Sequence, residues 1–270
     1  MNKKQILTSV VATMALLSLS ACGNSSKESL QDQIKKDGKL VVALSPDYAP
    51  FEFKTLQNGK DTIVGSDVQL AQAIADELGV KLEISPMSFD NVLSSVQTGK
   101  ADMAISGISY TKERAKVYNF SKPYYSTENA ILIKASNKNQ LQNLDSLANK
   151  KVAVQKGTIE EGLSKEQLKS SHIVSLTAMS EAVNELKSGQ VDAVDLEGPV
   201  AEGYLAQNPE LAIADYKLKT SEGDAKAVAM PKGSKELKAT TNKVITKLKA
   251  KDGYKKFIKE AAKLTGKAVD

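Results

Sequence analysis

The sequence predicts an α/β protein built from two related lobes. Short apolar runs that lack polar alternation, such as residues 40–44, indicate strands that are covered on both faces. Amphipathic segments that end in glycine, such as residues 68–78 before Gly79, indicate the helices between them. Two stretches, residues 89–107 and 179–197, superpose at a constant offset of 90 positions. Each copy predicts a helix that glycine ends and a buried strand that follows it.

The repeat keeps its register over 19 residues. Its matched positions include apolar residues, the glycine after the helix and an aspartate before the strand: Val92 with Ala182, Val96 with Leu186, Gly99 with Gly189, and Asp102 with Asp192. A helix, a glycine and a strand form a common unit, so two unrelated copies can look alike. The unbroken register favours two related lobes over that alternative.

The composition argues against several classes of function. The 270 residues include no tryptophan and only 5% aromatic residues, and the net charge is +5 with acids and lysines interspersed. This pattern does not favour nucleic acid as a partner. His172 is the only histidine, and residues 156–158 lack the glycine spacing of a phosphate loop. We therefore expect a surface role for His172, no metal site and no cofactor.

The first 21 residues have the features of a cleaved signal peptide. Lys3 and Lys4 form a basic start, and the apolar residues 6–19 are too few to span a membrane comfortably. Residues 19–22 read LSAC, which resembles the lipobox of bacterial lipoproteins. We expect lipidation of Cys22, with residues 22–37 as a tether, although a lone cysteine can also be a small buried side chain. No second cysteine is present to form a disulfide.

The stretch from Ser106 to Arg114 suggests a pocket for a small anion. Arg114 is the only arginine among 37 basic residues, and its planar fork can bind a carboxylate through two parallel hydrogen bonds. Ser106, Gly107 and Ser109 follow the apolar residues 103–105, which predict a buried strand. The alternative is a surface loop in which Arg114 pairs with Glu113 or another nearby acid.

Glu197 occupies the end of the strand in the second repeat. If the lobes face each other, Glu197 lies across a cleft from Arg114, and opposite charges on opposite walls suit a zwitterion. Glu197 could instead favour the positive end of a helix that Pro199 opens, and both roles can hold together. Thr158 and Glu161 have the spacing of a helix capping box.

The order and spacing of several motifs resemble the extracellular solute-binding proteins of polar-amino-acid ABC importers. The resemblance runs from about residue 38 to residue 264. Its pieces are SPDYAPFEF (45–53), VGSDVQLAQAIADEL (64–78), SFDNVLSSVQTGKADMAISGIS (88–109), TKERAKVYNFSKPYY (111–125), KKVAVQKGT (150–158), VDAVDLEGPVAEGY (191–204) and KDGYKKFIKEA (251–261). The resemblance implies a two-lobed, type II periplasmic-binding-protein-like fold with two hinge crossovers. Lobe 1 would comprise residues 38–128 and 225–270, and lobe 2 residues 129–224.

The resemblance also implies roles for individual residues. Tyr48 and Phe89 would sandwich the side chain of the ligand, and Glu197 would take its α-ammonium group. The α-carboxylate would be held by the stretch after the strand of lobe 1, which contains Ser106, Gly107, Ser109 and Arg114. The second lobe would contribute the hydroxyl of Thr158 to the wall.

The motifs look most like arginine-type binders, with some departures. Family members that bind basic amino acids can carry an acid at the position of Ser45, and the ammonium position is usually aspartate where this chain has Glu197. Side-chain specificity could come from Ser45 or from nearby acids: Asp47, Glu52, Glu128 and Glu160. Glutamine or another polar amino acid is the alternative ligand.

The resemblance further implies the partners and the location. A free amino acid would be delivered to the permease and ATPase subunits of an ABC importer by a monomeric protein. That protein would sit on the outer face of a bacterial cell membrane, held only by its lipid anchor, as in a Gram-positive organism. A secreted, dehydratase-like enzyme on the same fold is the alternative from another class, and a sensor or adhesin is a third. The predicted cleft offers no histidine and no obvious pair of carboxylates, so catalysis is not favoured.

Overall fold

The computed structural model describes residues 28–220 and 224–265. The predicted signal peptide, Cys22 and the first residues of the tether lie outside this part of the chain. None of the helices in the described residues is long and apolar enough to cross a membrane.

The helices and strands alternate as the sequence predicts. The helices are α1 (Leu30–Asp37), α2 (Ser66–Leu78), α3 (Phe89–Gln97), α4 (Lys112–Val117), α5 (Ile159–Gln167), α6 (Met179–Ser188), α7 (Gly198–Leu205), α8 (Lys235–Lys249) and α9 (Gly253–Thr265). The strands are β1 (Lys39–Leu44), β2 (Asp47–Tyr48), β3 (Glu52–Gln57), β4 (Lys60–Val64), β5 (Lys81–Pro86), β6 (Met103–Ala104), β7 (Tyr118–Phe120), β8 (Tyr125–Thr127), β9 (Asn129–Lys134), β10 (Lys151–Gln155), β11 (His172–Leu176), β12 (Ala193–Glu197), β13 (Leu211–Ile213), β14 (Asp224–Lys226) and β15 (Ala229–Pro231).

Two five-stranded sheets form the centres of two lobes. The first has the order β5-β1-β6-β15-β7, and the second has the order β11-β10-β12-β9-β13. In each sheet the first three strands pair in parallel, and the fourth strand runs antiparallel to both of its neighbours. The inner strands β1, β6, β10 and β12 are packed against helices and mostly buried, as their unbroken apolar runs predict, whereas the edge strands β5 and β11 are partly exposed. The two-lobed α/β prediction is confirmed.

The internal repeat corresponds to equivalent structure in both lobes. Gly99 and Gly189 each follow a helix with a positive φ, +72° and +84°, which a residue without Cβ adopts readily. The matched aspartates also make equivalent hydrogen bonds. Asp102 accepts a hydrogen bond from the backbone N–H of Val41 at 2.8 Å, and Asp192 accepts one from that of Lys151 at 2.9 Å. Each aspartate thus ties the strand of its own repeat to the neighbouring parallel strand, β1 in lobe 1 and β10 in lobe 2.

The chain crosses between the lobes at β8 and β14, which pair with each other as a separate antiparallel sheet. Strand β15 begins at Ala229, two residues later than the sequence predicts. The reason is that Lys226 belongs to the crossover sheet and the N–H of Ala227 bonds to Ile108 at 2.9 Å. Residues 227–228 therefore pass from one sheet to the other.

Candidate functional site

A small cavity lies between the two lobes. Lobe 1 contributes Tyr48, Phe89, Gly107, Ser109 and Arg114 to its lining, and lobe 2 contributes Gln155, Thr158, Ile159, Glu160 and Glu197. The fold therefore brings together most of the ligand-binding residues that the sequence analysis names, although they are far apart in the chain.

A larger groove of about 1370 Å³ opens beside this cavity. Ser45, Asp47 and Tyr204 lie on its walls, and the cations that line it are Lys54 and Lys187. We assign the site to the smaller cavity because that cavity combines the lone arginine with two buried carboxylates and two aromatic rings.

Arg114 is held in a defined orientation across the lobes. It lies in the short helix α4, where its N–H bonds to the capping hydroxyl of Thr111 at 3.0 Å. Its guanidinium donates to the carbonyl of Ser109 at 2.7 Å. It also donates to the carbonyl of Gly157, which belongs to the opposite lobe, at 2.9 Å. The neighbouring Glu113 forms an exposed ion pair with Lys116. The arginine thus faces the cleft, as the pocket hypothesis requires.

Gly107 lines the cavity, but its N–H is directed away from it. The φ of Gly107 is +53°, and a Cβ there would meet the ring of Tyr48 at 3.5 Å. Its N–H donates to Asp67 at 2.7 Å. Asp67, at the start of α2, also accepts from the hydroxyls of Tyr124 and Tyr254 at 2.8 and 2.5 Å. The N–H contact to a carboxylate that the resemblance implies is therefore taken by Asp67.

Ser106, Ser45 and Glu52 do not line the cavity. The hydroxyl of Ser106 accepts from the N–H of Ser45 at 3.0 Å and donates to Glu52 at 2.7 Å, so it supports the wall from behind. Glu52 is 0% exposed. Burial raises the pKa of Glu52 well above its ordinary value, and the negative charge of Asp67 raises it further.

Glu197 ends strand β12 in the cavity wall and forms an ion pair with Lys226. Lys226 is 0% exposed, and its Nζ also donates to the hydroxyl of Ser109 at 2.8 Å. One buried ammonium group therefore contacts a residue from each lobe. No local feature of the sequence distinguishes Lys226 from the many surface lysines, so its place at the site could not be predicted.

The start of helix α5 forms part of the second wall. Thr158 caps this helix by accepting from the N–H of Glu161 at 3.2 Å, while the Glu161 carboxylate accepts from the N–H of Gly157 at 2.8 Å. The predicted cap is present, although Glu161 reaches the residue before Thr158. Glu160 is 2% exposed and faces the cavity. Behind it, burial and the charge of Glu160 raise the pKa of Asp195 well above its ordinary value.

Several contacts hold the two lobes together. Asp47 accepts hydrogen bonds from the N–H of Met179 at 2.6 Å and the amide of Gln155 at 3.3 Å. The hydroxyl of Tyr204 donates to the carbonyl of Asp47 at 3.2 Å. Burial raises the pKa of the Asp47 carboxyl, and the hydrogen bonds from Met179, Ser45 and Gln155 oppose this shift. These contacts describe a closed arrangement of the lobes.

Signals for some missed residues existed in the sequence. Gln155 ends strand β10 of lobe 2, directly after the apolar residues 152–154, and ligands collect at the carboxyl ends of strands. Asp67 follows Gly65-Ser66 at a predicted helix start, where its contact with Gly107 could not be foreseen. The structure also corrects the premise that the cleft holds no pair of carboxylates, because Glu160 and Glu197 both line it. Within the described residues, no group of His, Cys, Asp and Glu could hold a metal ion.

Comparison with known proteins agrees with this geometry. The model of the bacterial extracellular solute-binding proteins, family 3, matches residues 40–261. A probable histidine-binding protein of Campylobacter jejuni is 32% identical, over 95% of this chain and 98% of its own. The arginine-binding extracellular protein ArtP of Bacillus subtilis is 34% identical, over 95% and 97%.

A solved structure is closer in sequence. The amino acid ABC transporter substrate-binding protein AbpA of Streptococcus pneumoniae, bound to L-arginine, is 53% identical with a TM-score of 0.84, covering 87% of this chain and 98% of that one. The match extends over most of both chains and includes both lobes. The chain belongs to family 3 of the bacterial extracellular solute-binding proteins.

Proposed function

We propose that this protein binds a free basic amino acid, L-arginine foremost, in the cavity between its lobes and delivers it to an ABC importer. The observation that carries the proposal is the pairing of Arg114 on one wall with Glu197 and Glu160 on the other. A zwitterion with a cationic side chain carries charges opposite to these. Relatives that bind arginine and histidine, and the arginine-bound structure, support the same ligand class.

The head group of the ligand takes the end of the cavity near Ser109. Arg114 binds the α-carboxylate, with the Ser109 and Thr158 hydroxyls beside it. Glu197 and the carbonyl of Gly107 accept from the α-ammonium group. Each of these residues lines the cavity, so both lobes contact the head group and ligand binding favours closure.

The side chain of the ligand lies between Tyr48 and Phe89, with Glu160 as the acceptor for its positive charge. Glu160 is the best of the candidate acids, because Glu52 is buried behind the wall and Asp47 is engaged in the contact with Met179. Glu128 forms an ion pair with Lys217 on the surface. A basic ligand would place its positive charge beside the Glu160 carboxylate, which a glutamine-type ligand cannot do, so we favour a basic one.

Residues 19–22 support a lipid anchor on Cys22 after cleavage of residues 1–21. Two or more acyl chains give stable anchoring, whereas one gives only marginal binding. We therefore place the protein on the outer face of the cell membrane of a Gram-positive bacterium, as a monomer that meets the permease and ATPase subunits of its importer.

Thermal-shift screening against the twenty amino acids, followed by calorimetry, tests the ligand. We expect the largest stabilisation with L-arginine or another basic amino acid. Stabilisation by acidic or apolar amino acids alone would contradict the proposal. Since Glu160 and Glu197 form a carboxylate pair in the cavity, the same incubation should be followed by chromatography. A binder returns the ligand unchanged, whereas a dehydratase-like enzyme does not.

A further inference from the structure

Lys226 is the most deeply buried cation at the candidate site, and its backbone is fixed. Its carbonyl accepts from the N–H of Tyr124 at 2.9 Å, and the next residue, Ala227, donates to the carbonyl of Ile108 at 2.9 Å. The preceding carbonyl, that of Ala225, accepts from the N–H of Tyr110 at 2.9 Å. The crossover strand β14 is thus hydrogen-bonded to the loop that carries Ser109. Lys226 enters the site from a rigid position.

The Nζ of Lys226 contacts both residues that define the head-group end of the cavity. It donates to Ser109 in lobe 1 and pairs with Glu197 in lobe 2. A buried ammonium group is tolerated only where anions and acceptors compensate for its lost hydration. The same need applies to the α-ammonium group of a bound amino acid, which the proposed function assigns to Glu197.

We propose that Lys226 is a specificity-determining residue whose ammonium group competes with the α-ammonium group of the ligand for Glu197. This inference rests on the proposed function, because that function assigns Glu197 to the ligand. Lys226 compensates the charge of Glu197. A ligand with an α-ammonium group must displace Lys226 or share Glu197 with Lys226. The α-ammonium group therefore adds little to the affinity of the ligand. Lys226 thereby reduces the selectivity of the site for the α-amino group.

The test compares two ligands on two proteins by calorimetry. The ligands are L-arginine and δ-guanidinovalerate, which lacks only the α-ammonium group. The proteins are the wild type and Lys226→Met, which keeps the apolar stem and removes the charge. The quantity of interest is the ratio of the two affinities. Without Lys226, the analogue brings no cation to replace it beside Glu197, whereas L-arginine does. We expect the ratio to be at least about tenfold greater in Lys226→Met than in the wild type.

A smaller change in the ratio would overturn the inference. In particular, equal losses for both ligands would mean that Lys226 binds the carboxylate or only supports the fold. Lys39→Met is the matched control, because it breaks the exposed Lys39–Glu83 ion pair of 2.9 Å outside the site, and it should leave the ratio unchanged. If Lys226→Met does not fold, Lys226→Gln keeps hydrogen-bond donors without the charge and is judged by the same threshold. No binding of L-arginine to the wild type would overturn the proposed function and this inference together, whereas binding with an unchanged ratio overturns the inference alone.

Discussion

The carboxylate of Asp47 in the first lobe caps helix α6 of the second lobe, accepting a hydrogen bond of 2.6 Å from the N–H of Met179. Ala178 occupies the N-cap position of that helix, and its methyl side chain cannot accept a hydrogen bond. A carboxylate at this end of a helix is stabilised by the unpaired N–H groups and by the helix dipole. Because the donor and the acceptor belong to different lobes, this contact exists only when the lobes are closed.

Asp47→Ala should therefore weaken binding of every ligand to a similar degree. A helix cap contributes about 0.5–2 kcal/mol, which corresponds to a loss of roughly 2- to 30-fold in affinity. Asp47→Asn is the matched control, since asparagine keeps a capping oxygen and should retain most of the affinity. Calorimetry measures both, and small-angle scattering reports whether ligand still compacts the protein. Equal affinities of Asp47→Ala and the wild type would show that the cap does not stabilise the closed state.

Arg114→Lys should bind amino acids poorly although it keeps the positive charge. Lysine cannot reproduce the planar bidentate geometry, and loss of a buried charged partner costs about 2–5 kcal/mol, or roughly 30- to several-thousand-fold in affinity. The loss should be similar for all accepted amino acids, whereas substitution of Tyr48 or Phe89 should change their ranking. Lys116→Ala, an exposed cation on the same helix, is the control. Calorimetry decides: a loss confined to one ligand would mean that Arg114 does not bind the common carboxylate.

Gly157→Ala should impair closure more than it impairs folding. The φ of Gly157 is +84°, and a Cβ there would lie 3.2 Å from the Cα of Asp90 in the opposite lobe. Gly99→Ala is the matched control, because Gly99 has a φ of +72° but no atom within 4 Å of the same position. Both variants should lose about 1 kcal/mol of stability from backbone strain. Only Gly157→Ala should also lose affinity in calorimetry, and equal affinities in the two variants would refute the interlobe contact.

Glu52→Gln should be at least as stable as the wild type at neutral pH. Burial raises the pKa of Glu52, so the folded protein binds that proton more tightly than the unfolded chain does. The stability that this proton contributes is complete below the pKa of Glu52 in the unfolded chain. It is lost as pH rises through the pKa of Glu52 in the folded protein. Glutamine resembles the protonated form at every pH, so stability between about pH 5 and about pH 8 should depend less on pH in the variant.

Denaturant unfolding at several pH values measures this effect. Glu83→Gln, which removes an exposed carboxylate, controls for the change in net charge. A Glu52→Gln protein that is less stable than the wild type throughout this range would mean that Glu52 is ionised in the fold.

Cys22→Ala should release the protein into the medium or leave it unprocessed, because the proposed lipid anchor requires the Cys22 thiol for acyl attachment. Fractionation of cells and mass spectrometry of the product measure the outcome. A variant that stays in the membrane fraction with the mature mass would contradict lipidation of Cys22.

Local patterns were enough to predict the architecture. The helix from Lys235 to Lys249 has the bounds that its apolar spacing predicts, and the repeat at an offset of 90 identifies equivalent units in both lobes. Such signals depend on residues within a few positions of each other. They survive folding because burial of one apolar face decides both the element and its place against the sheet.

The sequence by itself determined that the chain has two α/β lobes, and it suggested Arg114 and Glu197 for opposite walls of a cleft if those lobes face each other. Only the tertiary structure decided which groups face that cleft. It turned Ser106 and the N–H of Gly107 towards Glu52 and Asp67, and it placed Lys226 against Ser109, 117 positions away in the chain. The reason is physical: a buried polar group must find a partner wherever the fold supplies one, and that choice has no local periodicity.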